Sequence, residues 1–280
     1  MMPSRHHLVT VLAIWGLCLW AVMPCDGYVI PGEMVIDRMI KALGDARGLA
    51  VTQTTMAGES PCPENNDADE TSWFDPPGRF RFEGLEGKTK HVYVSAPQGA
   101  VTIVGDRVVS LSESTLMRYK EPLLYRDRPA LMERLAAMGI DAGESSLGRL
   151  DGTVAFVLGA RYPDLSVSQL WVDKETFLPF RLLVRHPGDK TLMETRYLMW
   201  HKGETFQFPL RVELYRDGRL IRTICGRTVT EKSSFEKDFF DITALRRRYP
   251  QVETPANGKP PDGTTDEIQQ AIEDFKKLYE

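Results

Sequence analysis

"LWVDKETFLPFRLLVRH", Leu170 to His186, is the stretch whose reading decides the fold. It holds two apolar runs around a polar turn, the pattern of paired antiparallel strands. Within "FRLLVRH" the side chains alternate, with Phe180, Leu182 and Val184 on one face and Arg181 and Arg185 on the other. One dry face and one wet face are what an antiparallel sheet covered on a single side requires. Trp171, Phe180 and Leu182 are large, so the question is what they pack against.

The same split recurs outward from this stretch. "RFRFE" (79–83) sets Phe80 and Phe82 against Arg79 and Arg81, and "PLRVELYR" (209–216) sets Leu210, Val212 and Leu214 against Arg211, Glu213 and Tyr215. Strand character also marks "KHVYVSA" (90–96), "GAVTIVG" (99–105), "RVVSLS" (107–112), "TVAFVLGA" (153–160), "SVSQLWVD" (166–173), "LMETRYLMWH" (192–201) and "RLIRTICGRTVT" (219–230). "RDGR" (216–219) is an Asp-Gly hairpin turn and "VGDR" (104–107) a second one. About ten strands in succession after Trp73 predict an antiparallel meander, preceded by a short strand in "LAVTQTT" (49–55).

Helical spacing is found in three places. Ile36, Met39, Ile40 and Leu43 repeat on one face after Pro31, with Gly44 and Gly48 at the exit. In "DRPALMERLAAMGI" (127–140), Leu131, Leu135 and Met138 share a face, Asp127 caps the start and Gly139 suits the exit. Beyond a Pro/Gly linker, Ile268, Ala271, Ile272, Phe275 and Tyr279 line one side of a terminal amphipathic helix, with Thr264 and Glu267 as its capping box.

The chain starts with the basic "MMPSRHH" and the apolar "LVTVLAIWGLCLWAVM", which reads as an export signal, too short for a spanning helix. Cleavage after Gly27 puts small residues, Cys25 and Gly27, at the peptidase positions; lipidation of Cys25 is the rival processing. The expected organisation is a signal peptide over 1–27, one β domain over 28–249, and a linker with an amphipathic helix over 250–280. Removing 1–27 takes away Arg5 and Asp26, so the formal charge stays at -4. Basic and acidic residues are mixed along the chain, and no basic stripe marks a nucleic-acid surface. Cys62 and Cys225 then remain, most simply as a disulfide in an exported protein, otherwise as two free thiols.

Chemistry-bearing motifs are absent from the text. It contains no G-x-S-x-G, no H-E-x-x-H and no C-x-x-C. His91, His186 and His201 are widely spaced and are expected on the surface or at strand ends. Asn65, Asp67 and Asp69 begin like a calcium loop, but Glu70 stands where Gly is needed and Pro76 where the closing Glu is needed. "GLEGKT" (84–89) has two residues too few between its glycines for a phosphate loop. The expectation is a non-enzymatic protein with no metal and no cofactor.

A meander of this size with one apolar face coils under its own twist and needs cover on its concave side. The two helices inside the domain each offer one stripe of large side chains, so either the strands' own aromatics fill the interior or an apolar ligand shares it.

The order of helix, strand, long loop, "PPGRFRFE", a strand with "VGDR", a middle helix, "LWVDKETFLPFRL" and "FPLRVELYRDGRL" ending in "FFDI" resembles the LolA-like superfamily of periplasmic outer-membrane lipoprotein carriers, over about residues 32 to 243. Pro77 to Glu83 and Trp171 to Leu182 carry most of it. The resemblance implies an incomplete antiparallel β-barrel, with helices over the concave face, in a periplasmic protein. Its apolar interior would shelter the acyl chains of a lipid or lipidated protein in transit toward the outer membrane.

Phe80, Phe82, Phe156, Phe180, Leu182, Val184, Val212 and Leu214 are the expected sheet-side lining, with Met132 and Leu135 as a lid. In the family's carriers an Arg just before the Pro of the second strand takes part in a latch. Pro76 stands there instead, and the nearest arginines, Arg79 and Arg81, are expected to face outward. The alternative within the superfamily is a sensor or interaction module that binds a membrane-anchored partner.

Overall fold

The computed structural model describes residues 29–63, 68–186, 188 and 191–251. The expected signal peptide over 1–27, the calcium-like Asn65 and Asp67, and the terminal helix lie outside them. Thirteen antiparallel strands form one open sheet: β1 (Leu49–Ala57), β2 (Glu70–Asp75), β3 (Arg79–Glu86), β4 (Thr89–Ala96), β5 (Gly99–Val104), β6 (Arg107–Ser110), β7 (Ser145–Leu150), β8 (Thr153–Leu158), β9 (Gln169–Asp173), β10 (Pro179–Arg185), β11 (Leu192–Lys202), β12 (Gln207–Arg216) and β13 (Arg219–Glu231). The order across the sheet is β6-β5-β4-β3-β2-β1-β13-β12-β11-β10-β9-β8-β7. Two meanders thus meet at a β1–β13 seam and leave β6 and β7 as the edges. An incomplete antiparallel barrel is the observed class; β2 and β7 are added to the strands expected, about ten after Trp73 and one before it.

Local sequence explains the boundaries. Helix α1 (Gly32–Leu43) follows Pro31 and stops at Gly44, whose φ of +85° and whose closeness to the Thr205 carbonyl leave no room for a side chain. The β12–β13 hairpin turns on Asp217 and Gly218, with φ of 51° and 80°, as an Asp-Gly pair favours. The disulfide Cys62–Cys225 ties the β1–β2 loop to β13 across a sequence separation of 163.

The connection from β6 to β7 is the decisive piece of topology. It starts on one edge and ends on the other, so it runs across the open side. It contains a 3-10 segment (Thr115–Lys120), the short helix α2 (Glu121–Leu124) and helix α3 (Arg128–Ala137), which Asp127 caps by accepting from the Ala130 amide at 3.0 Å. The expectation that two helices cover the interior is therefore corrected. Residues 115–124 form a third element, and Leu116, Met117, Tyr119, Leu123 and Leu124 from it are buried in the central cluster.

Against the outer face, α4 (Ile242–Arg248) packs with Phe235, Phe239 and Phe240 on Val92, Val94, Val101 and Ile103. Farther along the same face, Trp171 packs with Ala155, Val157 and Ala160, and Gly148 of β7 lacks the Cβ that would collide with its ring. That answers the opening question for Trp171, which lies outside the half-barrel.

Candidate functional site

Most of the expected lining converges on the concave interior. Phe80, Phe82, Phe156, Leu182, Val184, Val212, Leu214 and Leu135 are all buried in one cluster, and Met132 packs against it half-buried. Phe180 is the exception. The β9–β10 ladder shifts between Pro179 and Arg181, which takes Phe180 out of alternating phase and sends it to the outer cluster beside Trp171. Arg181 faces outward as expected, yet it is only 7% exposed. Its guanidinium stacks on Trp171 at 5.3 Å and bonds Glu194 at 2.6 Å. The outer face is accordingly not simply wet.

Aromatic rings knit the interior. Phe74 meets Phe80 at 5.0 Å and Phe208 at 5.1 Å, and Tyr119 of the 3-10 segment closes on Phe80 at 6.4 Å. The Tyr197 hydroxyl donates to the Tyr119 carbonyl at 2.8 Å, fastening the segment to β11. None of the buried lining side chains named above exceeds 4% exposure. Of the two alternatives the sequence left open, the structure takes the filled interior.

Beside that interior lies an open cleft of about 450 Å³ between α3 and the hairpin tips at Pro77 and Pro97. Its walls are Pro77, Ala96, Pro97 and Gly99 on the strand side, Ala130 and Ala137 on the helix side, and Tyr125 at the hinge between α2 and α3. Glu113, Asp127, Glu133 and Arg134 give it polar ground. This volume lies within the range of about 300–1,000 Å³ usual for small-ligand sites.

Arg134 connects the cleft to the sealed interior. Its Nε donates to Glu121 at 2.8 Å, and a terminal nitrogen donates to Glu113. Lys120 pairs with Glu121 on the inner side, with its ammonium 5.8 Å from the Phe80 ring centroid. Burial alone would raise the Glu121 pKa, but Lys120 and Arg134 outweigh it and hold the carboxyl below its ordinary value. Burial likewise works against the Lys120 ammonium, and Glu121 more than offsets it, so that pKa is raised. Arg126, the residue after Tyr125, is lowered to about 10 by burial, against a smaller opposing pull from Asp45.

These ionic residues escaped the sequence reading. The signal was a charged Lys120-Glu121 pair set inside the apolar "TLMRYKEPLLY", a frame in which neither charge has a solvent-facing register. Arg79 and Arg81 stay outside as expected. Arg79 pairs with Asp75, while Arg81 pairs with Glu83 and lies 4.6 Å from the Phe239 ring centroid. Neither reaches the interior. His186 and His201 are exposed, whereas His91 is buried on β4, contrary to the surface expectation, and its pKa is lowered by that burial. Among the described residues no three His, Cys, Asp or Glu side chains converge as a metal-ligand set.

No family model and no curated protein matches the sequence. Among solved structures, the chain is similar to a DUF1329 family protein from Desulfovibrio piger, with 14% identity and a TM-score of 0.45, covering 77% of this chain and 98% of that one. It is also similar to a LolA superfamily protein from Nitrosomonas europaea, with 12% identity and a TM-score of 0.41, covering 77% of this chain and 100% of that one.

Proposed function

We propose that this chain is an exported binding and transfer protein for an amphiphilic, acyl-bearing ligand, acting without covalent chemistry. The observation that carries the reading is the cleft. It sits where the β6–β7 connection crosses the open side of the sheet, with an apolar wall on one side and Arg134 on the other. A chain lodged between α3 and the hairpin tips reaches Phe80 and Tyr119 once the 115–124 segment swings aside. Each methylene moved out of water contributes about 0.8 kcal/mol, so an acyl chain of roughly ten to twenty methylenes is needed to offset the burial given up by the segment's five large side chains, about 1.5–3 kcal/mol each. The buried Lys120–Glu121–Arg134 group suits a segment that must leave. Ionic groups taken from water lose much of their attraction to desolvation, whereas an all-apolar plug would have no such offset.

The Cys62–Cys225 disulfide fits an oxidising compartment, for which the periplasm is the natural choice given the leader-like first residues. A lipidated protein or free lipid on its way to the outer membrane is the ligand class this implies.

One observation favours the second reading, an interaction module for a membrane-anchored partner: the interior is already filled. Titration with a fluorescent fatty acid separates them. Saturable uptake with one site per chain supports the carrier. A protein that takes up none, alone or with detergent-solubilised lipid, returns the cleft to a protein partner.

A further inference from the structure

We infer that Arg126 anchors an oxyanion site at the hinge between α2 and α3, taking a carboxylate or phosphate group into the fork of its guanidinium. What carries this is a buried cation left without an acid. Nε and Nη1 of Arg126 are shut off from solvent and meet no hydrogen-bond partner among the described residues. Each of the two forks of a guanidinium pairs one of these nitrogens with Nη2, so neither fork is closed.

The buried cations described above are served differently. Lys120 and Arg134 share Glu121, Arg134 also holds Glu113, and Arg181 bonds Glu194. Around Arg126 the acids are engaged elsewhere. The neighbouring Arg128 takes Asp37 and Glu33 of α1, and the Asp127 carboxylate caps α3. Asp45, past the exit of α1, pulls on the Arg126 charge without forming a salt bridge with it, and burial outweighs that pull.

The hinge sets where this site lies. The backbone at Tyr125 is extended, with φ of -87° and ψ of 122°, so Tyr125 and Arg126 project to opposite sides. The Tyr125 ring goes to the hairpin tip, where a Cβ added at Gly78 would stand 3.0 Å from it, and it forms the cleft wall there. Arg126 projects from the other side of the hinge, within the pull of Asp45 at the exit of α1. The residue as a whole is half-buried, so its guanidinium is enclosed without being sealed in.

A guanidinium taken from water with no counter-charge destabilises the fold, and an occupant that brings the opposite charge offsets this. Carboxylate and phosphate oxygens match the planar fork with two parallel N–H···O bonds, whereas a neutral hydroxyl leaves the charge uncompensated. Such a group has two sources, the head of an amphiphile whose chain lies in the cleft beyond Tyr125, or a free inorganic ion. The first source rests on the function proposed above; the oxyanion site itself does not.

The test compares the chain from Tyr28 to Glu280 with its R126M and R126K variants. Calorimetry measures binding of dodecanoate and of dodecanol, equal chains that differ in the charged head, and thermal melts are run in phosphate and in chloride at equal ionic strength. The unaltered protein should bind dodecanoate at least about tenfold more tightly than dodecanol. R126M should erase that preference, and R126K, which keeps the charge but lacks the fork, should lose most of it. In chloride, R126M should melt about 2–4 °C higher, because an uncompensated charge is gone. A rise in melting temperature with phosphate that R126M abolishes, with no uptake of either amphiphile, keeps the site and assigns it to the free ion; the acyl reading then fails on its own. Equal affinity for the two amphiphiles together with no response to phosphate overturns the inference. So does an anion preference or a phosphate response that stays whole in either variant.

Discussion

The two faces of the sheet bury their large side chains by different means. On the concave face, rings and aliphatics from most of the strands meet each other and the 115–124 segment, around a buried group of Lys120, Glu121 and Arg134 and a buried Arg222 on β13. On the convex face, arginines lie flat over aromatic rings and hand their charge along a ladder. Arg181 stacks on Trp171 and bonds Glu194, Arg196 bonds Glu194 at 2.6 Å and stacks on Tyr215 at 4.9 Å, and the Tyr215 hydroxyl donates to Glu213 at 2.7 Å. The difference teaches that alternation of Phe and Arg gives the facing of a strand but not its dryness. A guanidinium shields an aromatic ring almost as well as another apolar group does, while keeping a charged edge for its partner.

The sharpest way to break the comparison is to truncate one ring on each face. Phe80→Ala should lower stability by about 3–5 kcal/mol, since a fully enclosed ring leaves a cavity, whereas Phe180→Ala at the half-buried outer position should cost about 1–2 kcal/mol. Urea unfolding gives both, and equal losses would mean that the two faces have been assigned wrongly.

Next in size is Glu121→Gln, which strands the Lys120 charge, leaves Arg134 only Glu113, and should cost about 3 kcal/mol by the same measurement. Adding Lys120→Met should recover part of that loss, because the pair is then gone rather than broken. On the convex face, Arg181→Met should cost only about 1–2 kcal/mol, as Glu194 keeps Arg196 and the Met side chain still covers Trp171.

The smallest effect per residue is that of pH. The pKa values of Glu83, Glu121 and Glu194 are all held below normal, in each case by basic partners that outweigh burial. Their unfolded forms bind protons first, so stability contributed above about pH 4.5 should be lost as pH falls through the lowered folded values. A thermal midpoint flat from pH 7 down to 3 would contradict those pairings.

Much of the fold was legible. Strand phase, the Asp217–Gly218 turn, the Asp127 cap and the Gly44 exit are local chemistry, and local chemistry is written in neighbouring residues. What was not legible depends on distant ones. β7, "SSLGRL", carries few β-formers because its Gly148 makes room for Trp171 some twenty residues on. Phe180 left its expected face through a ladder irregularity that alternation does not announce. The 115–124 segment is too short for helical periodicity and holds Pro122, so it reads as loop. Only the sheet order, with β6 and β7 at opposite edges, shows that it has to cross the interior. The cleft was missed for the same reason, being built from two hairpin tips and a helix far apart in the chain.

The central claim, that an acyl chain is admitted on the concave side, is tested most directly by tryptophan quenching with a brominated fatty acid. Trp200 packs against the concave cluster, while Trp73 and Trp171 belong to the convex ones. With Trp73 and Trp171 replaced by Phe, saturable quenching of Trp200 is the predicted result, and a protein with Trp200→Phe should be quenched little. Quenching confined to Trp73 and Trp171, or none that saturates, would contradict the account.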